Sequence, residues 1–412
     1  MQILYFHQHF STPQGAAGTR SYEMARRLVE RGHDVTMVCG SYGAGKTGLD
    51  GPFHRGKRQG KIEGIRVIEL NLEYSNTDRL MKRSVTFATF ALRSIVLALT
   101  ERYDLVFATS TPLTASIPGI FAKLLRRKPF VFEVRDLWPE LPKAMGVVKN
   151  PLFLWVLSAL EWVSYHCADR LIGLSPAIVE GIAKRGIAAS RIAMIPNGCD
   201  MALFAAPVAA WRPEQIRADD VMAVYAGTHG QANGLNAALD AAIELKRRGL
   251  THVKLVFVGS GKLKSRLIAR AQQERLDSVI FLDSIPKTKL AGLMASADIG
   301  MQLLANIPAF YYGTSPNKFF DYIASGTPVL CNYPGWVADL ITLHQCGFAV
   351  MPDNINAFAD ALEYAANNRV ELKAMGPRAQ QLARKAFARD QLAEHFCVWL
   401  EQTIIQKDHL VA

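Results

Sequence analysis

The chain has 412 residues, half of them hydrophobic and 20% charged, with a formal net charge of +11. That length exceeds one ordinary core, so two domains are expected, and the composition is that of a soluble globular protein. The cation excess asks for anionic partners; the basic residues do not interleave with aromatics, which leaves nucleotide phosphates or an anionic membrane rather than nucleic acid.

The first residues, Met1-QILYFHQHF-Phe10, lack the basic start and apolar core of a signal peptide. A strand over Ile3–Phe6 leads to His7 and His9. A second strand, Val35–Cys39, runs into Gly40-SYGA-Gly45-Lys46-Thr47, which fits the phosphate-loop pattern G-x-x-x-x-G-K-[ST]. A true phosphate loop opens a helix, yet glycines at 48, 51, 56, 60 and 64 and Pro52 follow. Neither Asp104-LVFATS-Ser110 nor Lys254-LVFVGS-Ser260 ends in a magnesium-binding acid. The segment is therefore read as a basic surface loop.

Further strands are expected at Ile65–Leu70, Leu105–Thr109, Phe130–Val134, Arg170–Leu174 and Ile192–Ile195. The series restarts at Val221–Gly227, Lys254–Gly259, Val279–Leu282, Ile299–Leu304 and Pro328–Asn332. Strands apolar on both faces and separated by helices mean parallel sheets covered on both sides. The expected class is α/β, with two doubly wound domains facing across a cleft at the carboxyl ends of their strands. The expected boundaries are 1–200, a linker over 201–213, a second domain over 214–388, and a final helix, 389–412, that packs back towards the first domain. Six cysteines (39, 167, 199, 331, 346, 397) show no metal-ligand spacing and read as thiols of a reducing compartment.

Two runs, Ser84–Leu99 and Pro151–Ala168, are apolar but interrupted by Arg93 and Glu161, short of the roughly 18 uninterrupted residues of a spanning helix. Lys82, Arg83, Lys123, Arg126, Arg127 and Lys128 lie beside such helices, a pattern that suits a membrane surface as well as solvated ends of core helices.

Two strand-to-helix turns, Tyr225-AGTHGQANGL-Leu235 and Val258-GSGKLKSRL-Leu267, are glycine-rich, which suits close approach to an anion. In Gly313-TSPNKFFDYIASGTPVL-Leu330, Ser315 is expected as a helix N-cap and Pro316 as the first helical residue. Lys318 then opposes the helix macrodipole, a placement that makes sense if an anion lies between them. One turn on, Asp321 is placed to accept from ribose hydroxyls.

Taken in order, these pieces resemble the retaining glycosyltransferases of family 4, which have the GT-B fold. Pro13-QGAAGTR-Arg20, Met24-ARRLVERGHDVTMV-Val38, Phe132-EVRDLWPE-Glu140, Ala168-DRLIGLSP-Pro176 and Ile195-PNGCD-Asp200 are similar to the first half, and the two glycine turns with Asp321-YIASGTPV-Val329 to the donor-binding half. The family has a variable loop after its second strand, where Gly40–Thr47 falls. The chain departs from the family at Thr228 and Asn233, where arginine and lysine commonly meet the donor pyrophosphate, and at Gly313, the first acid of the E-x7-E pair. A histidine-aspartate pair is replaced by Arg135-Asp136.

The resemblance implies transfer of a sugar from a UDP-sugar to a polyprenyl-diphosphate-linked or oligosaccharide acceptor in bacterial surface-polysaccharide synthesis. The run R-D-L-W-P-E is similar to enzymes adding N-acetylated deoxysugars such as N-acetylfucosamine. It implies Arg135, Asp136 and Glu140 as catalytic residues, with His7 and His9 at the acceptor or merely capping the sheet. Donor contacts are assigned to Gly15, Gly18, Gly227, Thr228, Gly230, Gly259, Gly261, Lys262, Lys264, Ile285, Ser315, Asn317, Lys318 and Asp321. No D-x-D motif is present, so no metal or cofactor beyond the nucleotide-sugar co-substrate is expected. The implied location is cytoplasmic, peripheral to the inner face of the membrane. A nucleotide-sugar epimerase of similar fold and a non-catalytic nucleotide-sugar binder are the alternatives.

Overall fold

The computed structural model describes residues 1–15, 17–43, 45–75 and 78–411, with side chains up to Ile405. It falls into two compact units: 1–196 with 313–315 and 390–412, and 197–312 with 316–389.

The first unit runs β1 (Gln2–Phe6), α1 (Arg20–Glu30), β2 (Asp34–Tyr42), β3 (Lys57–Ile62), β4 (Ile65–Tyr74), α2 (Leu80–Thr100), β5 (Leu105–Thr109), α3 (Ile117–Arg126), β6 (Phe130–Val134), α4 (Glu140–Ala144), α5 (Pro151–Cys167), β7 (Arg170–Gly173), α6 (Pro176–Lys184) and β8 (Ile192–Met194). Its sheet has the order β3-β4-β2-β1-β5-β6-β7-β8. Among the described residues of this sheet, only the β3–β4 strand pair is antiparallel. β1 lies between β2 and β5, with Phe6 opposite both Val38 and Ala108. Strand order reverses there, and a doubly wound sheet opens a crevice beyond the carboxyl ends of such neighbours.

The second unit runs α7 (Met201–Phe204), β9 (Val221–Ala226), α8 (Asn236–Arg247), β10 (Val253–Val258), α9 (Lys264–Gln273), β11 (Val279–Leu282), α10 (Lys287–Met294), β12 (Ile299–Gln302), α11 (Pro308–Gly313), α12 (Asn317–Ala324), β13 (Val329–Cys331), α13 (Trp336–Leu343), β14 (Gly347–Ala349), α14 (Ile355–Asn367) and α15 (Arg369–Ala386). The sheet order is β11-β10-β9-β12-β13-β14, parallel throughout, and the order reverses between β9 and β12. Residues 201–213, expected as a linker, belong to this unit from Asn197 onwards, and Phe204 is buried.

The last helix, α16 (Arg389–Val411), places Leu392, Ala393, Phe396, Cys397 and Leu400 in the core of the first unit. Phe396 meets the Phe107 ring edge-on at 4.9 Å, and Glu394 and Glu401 ion-pair with Arg27 and Arg31 of α1 and its cap. All six cysteines are free and five are buried.

Three expectations are corrected. β2 extends through Gly40 to Tyr42 because Ser41 and Tyr42 continue the ladder against Glu73 and Tyr74. β3 was not expected, since its K-R-Q-G-K-I sequence alternates half-exposed residues with no apolar run. Helix α12 starts at Asn317 with Pro316, not Ser315, as its cap; Pro316 has an extended ψ of 120° and accepts from the amide of Phe319.

The chain after Gly40–Thr47 enters β3, and no helix follows the motif. The amides of Gly40, Gly43, Gly45 and Lys46 are donated within the protein to Gln8, Tyr74, Tyr42 and Ser11. A phosphate would find those four amides taken. Lys46→Ala is therefore expected to leave UDP and ATP affinity unchanged by calorimetry; a large loss would restore the phosphate-loop reading. Phe396→Ala removes a wholly buried ring and is expected to destabilise the first unit by about 3–5 kcal/mol, read as a lowered unfolding midpoint in urea.

Candidate functional site

In the second unit, the glycine turn after β9 sits between the turn after β10 and the loop after β12. The backbones are in near contact: a Cβ on Gly259, whose φ is +143°, would lie 2.0 Å from the Gly227 carbonyl oxygen. A Cβ on Gly261 would lie 2.5 Å from the His229 carbonyl oxygen, so both glycines serve the packing of one turn on the other. On the other side Ala305 donates to the Ala232 carbonyl. Tyr322 of α12 reaches the reversal point, its hydroxyl accepting from Ala226 at 3.0 Å. Gly300 makes room, since a Cβ there would lie 2.4 Å from the Tyr322 ring.

Thr228 and Asn233 close the loop on itself. Asn233 donates to the Thr228 carbonyl at 2.8 Å, and the Tyr225 hydroxyl donates to the same oxygen at 2.9 Å. Thr228 is exposed, and Gly230 caps the short 3-10 turn of Gln231–Asn233. Of the three candidate lysines, Lys264 is spent: its ammonium donates to the carbonyls of Gly259 and Leu282 and to Asp283 at 2.6 Å. Lys262 is exposed beside Gly261.

Lys318 differs from both. It lies at the second position of α12, its Cε 3.1 Å from where a Cβ on Gly227 would stand and its ammonium 5.2 Å above the Tyr225 ring. No ion pair reaches it among the described residues. Burial brings its pKa down to about 8 against the opposing pull of Asp321. Asn317 is exposed at the first helical position. Asp321 is buried and lies 3.6 Å from Lys287, a partner not anticipated from the sequence. Ile285 is half-buried in the loop between β11 and α10. Gly313 has open space around its Cβ position, and Ser315 is half-exposed; both group with the first unit.

In the first unit, the ends of β1, β5 and β6 carry a buried charge network. Glu133, next to last in β6, is fully buried and is held by Arg20 at 2.8 Å, Thr109 at 2.7 Å and Arg135 at 3.1 Å. Despite burial, the two arginines bring its pKa down to about 2. Its contribution to stability is complete above the ordinary carboxylate range and is lost as pH falls through 2. Arg20 also donates to the carbonyls of Ile195 and Pro196, and Arg135 to Ser21. Arg135 is thus pinned on three sides. Asp136 accepts from Thr111 at 3.2 Å, and burial raises its pKa.

His7 and His9 follow β1. Burial, with the charge of Arg135, holds His7 well below its ordinary pKa and His9 at about 3. Neither is a proton carrier at neutral pH. Glu140 stands apart from this cluster, exposed at the start of α4 and paired with Arg185 at 3.1 Å. Arg185 also pairs with buried Glu161 at 2.6 Å, whose pKa rises to about 7 through burial and the charge of Glu140. Gly15 and Gly18 lie in the loop between β1 and α1, where Gly15 donates to Thr12 and Gly18 is exposed. Glu133 was missed, although an acid inside the apolar strand F-V-F-E-V is a readable signal: a charge buried on both faces has to be paired.

Residues 15–198 match the model of a glycosyl transferase 4-like domain, and residues 210–382 that of glycosyl transferases group 1. The chain is 24% identical over 314 residues to the putative colanic acid biosynthesis glycosyl transferase WcaI of Escherichia coli K12, covering 72% of this chain and 75% of that one. Among solved structures it is similar to sucrose-phosphate synthase from Thermosynechococcus elongatus, with a TM-score of 0.76 and 17% identity over 98% of this chain and 99% of that one. It is also similar to Anabaena Alr3699/HepE in complex with UDP-glucose, with a TM-score of 0.66 and 16% identity over 98% and 100% of the two chains. Its two parallel-sheet units have the GT-B fold of these structures. The chain is therefore a member of the family 4-like glycosyltransferases, its first half a glycosyl transferase 4-like domain and its second a group 1 domain.

Proposed function

We propose that the protein is a retaining, metal-independent glycosyltransferase that moves a sugar, an N-acetylated hexosamine or deoxyhexosamine, from UDP to a polyprenyl-diphosphate-linked or oligosaccharide acceptor in surface-polysaccharide synthesis. The observation that carries the donor side is Lys318, a partly desolvated ammonium beside Gly227 with no ion pair among the described residues. A half-buried cation with no ion pair is costly, and a diphosphate supplies one. Asp321 takes the ribose hydroxyls, and Gly227–Gly230, Lys262 and the backbone near Ile285 complete the donor contacts. The UDP-glucose complex of HepE supports a nucleotide-sugar donor, and the similarity to WcaI supports a role in polysaccharide synthesis.

In the reaction, an acceptor hydroxyl attacks the anomeric carbon from the face that the nucleotide leaves. The bond from that carbon to the diphosphate oxygen breaks as the new glycosidic bond forms, and the leaving phosphate takes the acceptor proton. Lys318 stabilises the charge that grows on the phosphate. Arg135 and Asp136 position sugar and acceptor, and Glu140 holds α4 through Arg185.

Lys318→Ala is expected to keep or slightly raise stability while lowering kcat/KM roughly 10- to 150-fold. Because Lys318 loses its proton near pH 8, wild-type UDP affinity is expected to fall as pH rises past 8, and that dependence to vanish in the variant. Asp321→Asn should weaken UDP mainly through the ribose. Wild-type UDP affinity in both variants would place the nucleotide elsewhere.

The same reading places the first unit on an anionic membrane, at its cytoplasmic face. Helix α2 packs on α3, and α3 on α5; the three expose Met81, Leu92, Val96, Leu124, Leu125, Trp155 and Trp162. By length and composition α2 would cross a membrane, but its Phe90, Ala91, Ser94, Leu97 and Ala98 are buried in the unit. Several cations expected to face lipid are instead engaged within the protein. Lys123 binds Asp169, Arg126 the carbonyls of Ala98 and Glu101, and Lys82 Asp78. Attachment therefore rests more on apolar area than on charge. Leu124→Glu and Trp155→Glu are expected to abolish co-sedimentation with phosphatidylglycerol vesicles, with UDP affinity intact, and salt to weaken wild-type binding only in part. Unchanged sedimentation of both variants would refute this orientation.

A further inference from the structure

The second unit holds another lysine whose position local sequence leaves unexplained. Lys287 opens α10, which like α12 begins without a side-chain cap. It too puts a cation in a first turn, where the helix macrodipole disfavours one. Its ammonium lies between groups from two other elements, Asp321 Oδ1 of α12 at 3.6 Å and the Phe204 ring of α7 at 5.7 Å. Phe204 is buried, and the start of α7 is anchored: Asp200 caps it by accepting from Leu203 and is itself bound by Arg389 at 2.9 Å.

Asp321 is 7% exposed, a depth at which an unpaired carboxylate is costly. Lys287 is its one ion-pair partner among the described residues. Lys318, three residues earlier on the same helix, is drawn by the charge of Asp321, but its ammonium lies over Tyr225 and no ion pair joins the two. At 3.6 Å an ammonium balances charge without making a hydrogen bond, and attraction to the face of Phe204 holds it back. No hydrogen bond from the described residues reaches either oxygen of the carboxylate. Glu133 is the contrast, since arginines and a threonine consume both its charge and its acceptor capacity. In Asp321 the charge is met and the acceptor capacity is left over.

We infer that Lys287 is a positioning residue of the donor site, keeping the Asp321 carboxylate charged while leaving its oxygens open to both hydroxyls of a ribose. The inference rests on the proposed donor reading, and it assigns Lys287 to the ribose rather than to the diphosphate. Without Lys287 the carboxylate would be buried unpaired and would take up a proton or turn to another donor. Either change removes an acceptor from the ribose.

Calorimetry with UDP and with 2′,3′-dideoxyuridine diphosphate, which lacks both hydroxyls, tests it. The wild type is expected to bind UDP roughly tenfold or more tightly than the dideoxy nucleotide. Lys287→Met keeps an apolar stem against Phe204 and removes the charge. It should weaken UDP roughly fivefold to twentyfold, leaving the affinity for the dideoxy nucleotide and Tm unchanged. Adding it to Asp321→Asn should cost nothing further, because an amide needs no counter-charge. Equal weakening of both nucleotides would assign Lys287 to the diphosphate or to folding and overturn the inference. Unchanged UDP affinity in Lys287→Met, or additive losses in the double variant, would overturn it as well. If the wild type bound both nucleotides alike, Asp321 would hold no ribose, and the donor reading would fall together with this assignment.

Discussion

The buried carboxylate of Glu133 is the constraint around which the first unit is arranged. An unpaired charge at that depth would be neutralised or expelled. Here two guanidinium groups and a hydroxyl converge on it. Arg20 brings α1 and the chain after β8 to the end of β6, and Arg135 brings the segment that follows β6 back over β5. Removing one partner of such a pair leaves the other charge buried alone, at a cost of about 3–5 kcal/mol. The group that fixes the segment after β6 is therefore also a condition of folding, and it holds Arg135 in one place.

The second unit reaches the same end by different physics. Its turns are joined through backbone contact rather than charge, with Gly259 pressed on the Gly227 carbonyl and Tyr322 inserted over Gly300. The ammonium of Lys318 lies beside this packed turn and meets no ion-pair partner among the described residues. Close packing through the backbone fixes the path of the loop. Asn233 tightens the loop by donating to the Thr228 carbonyl.

Much of this was legible in the chain. Strands such as Leu105–Thr109 and Phe130–Val134 have the observed bounds because each run is buried throughout and is followed at once by a polar residue, Ser110 in the first and Arg135 in the second. Less regular elements were not legible. The polar hairpin strand β3 gains its place from pairing with β4, a neighbour that periodicity does not reveal. The start of α12 was misplaced by one residue, since Pro316 fits both a cap and a first helical position and only the backbone conformation separates the two.

At the sites, local sequence determined residue types and their place at strand ends: histidines after β1, Arg135-Asp136 after β6, glycines after β9 and β10. Tertiary structure decided which of them remain available. Lys262, Lys264 and Lys318 look alike in the chain, but three acceptors surround the ammonium of Lys264 and none of the described residues ion-pairs with Lys318. Likewise Glu140 reads as a neighbour of Asp136, yet an arginine 45 positions away takes it. Availability depends on partners distant in sequence, and only folding brings those partners within reach.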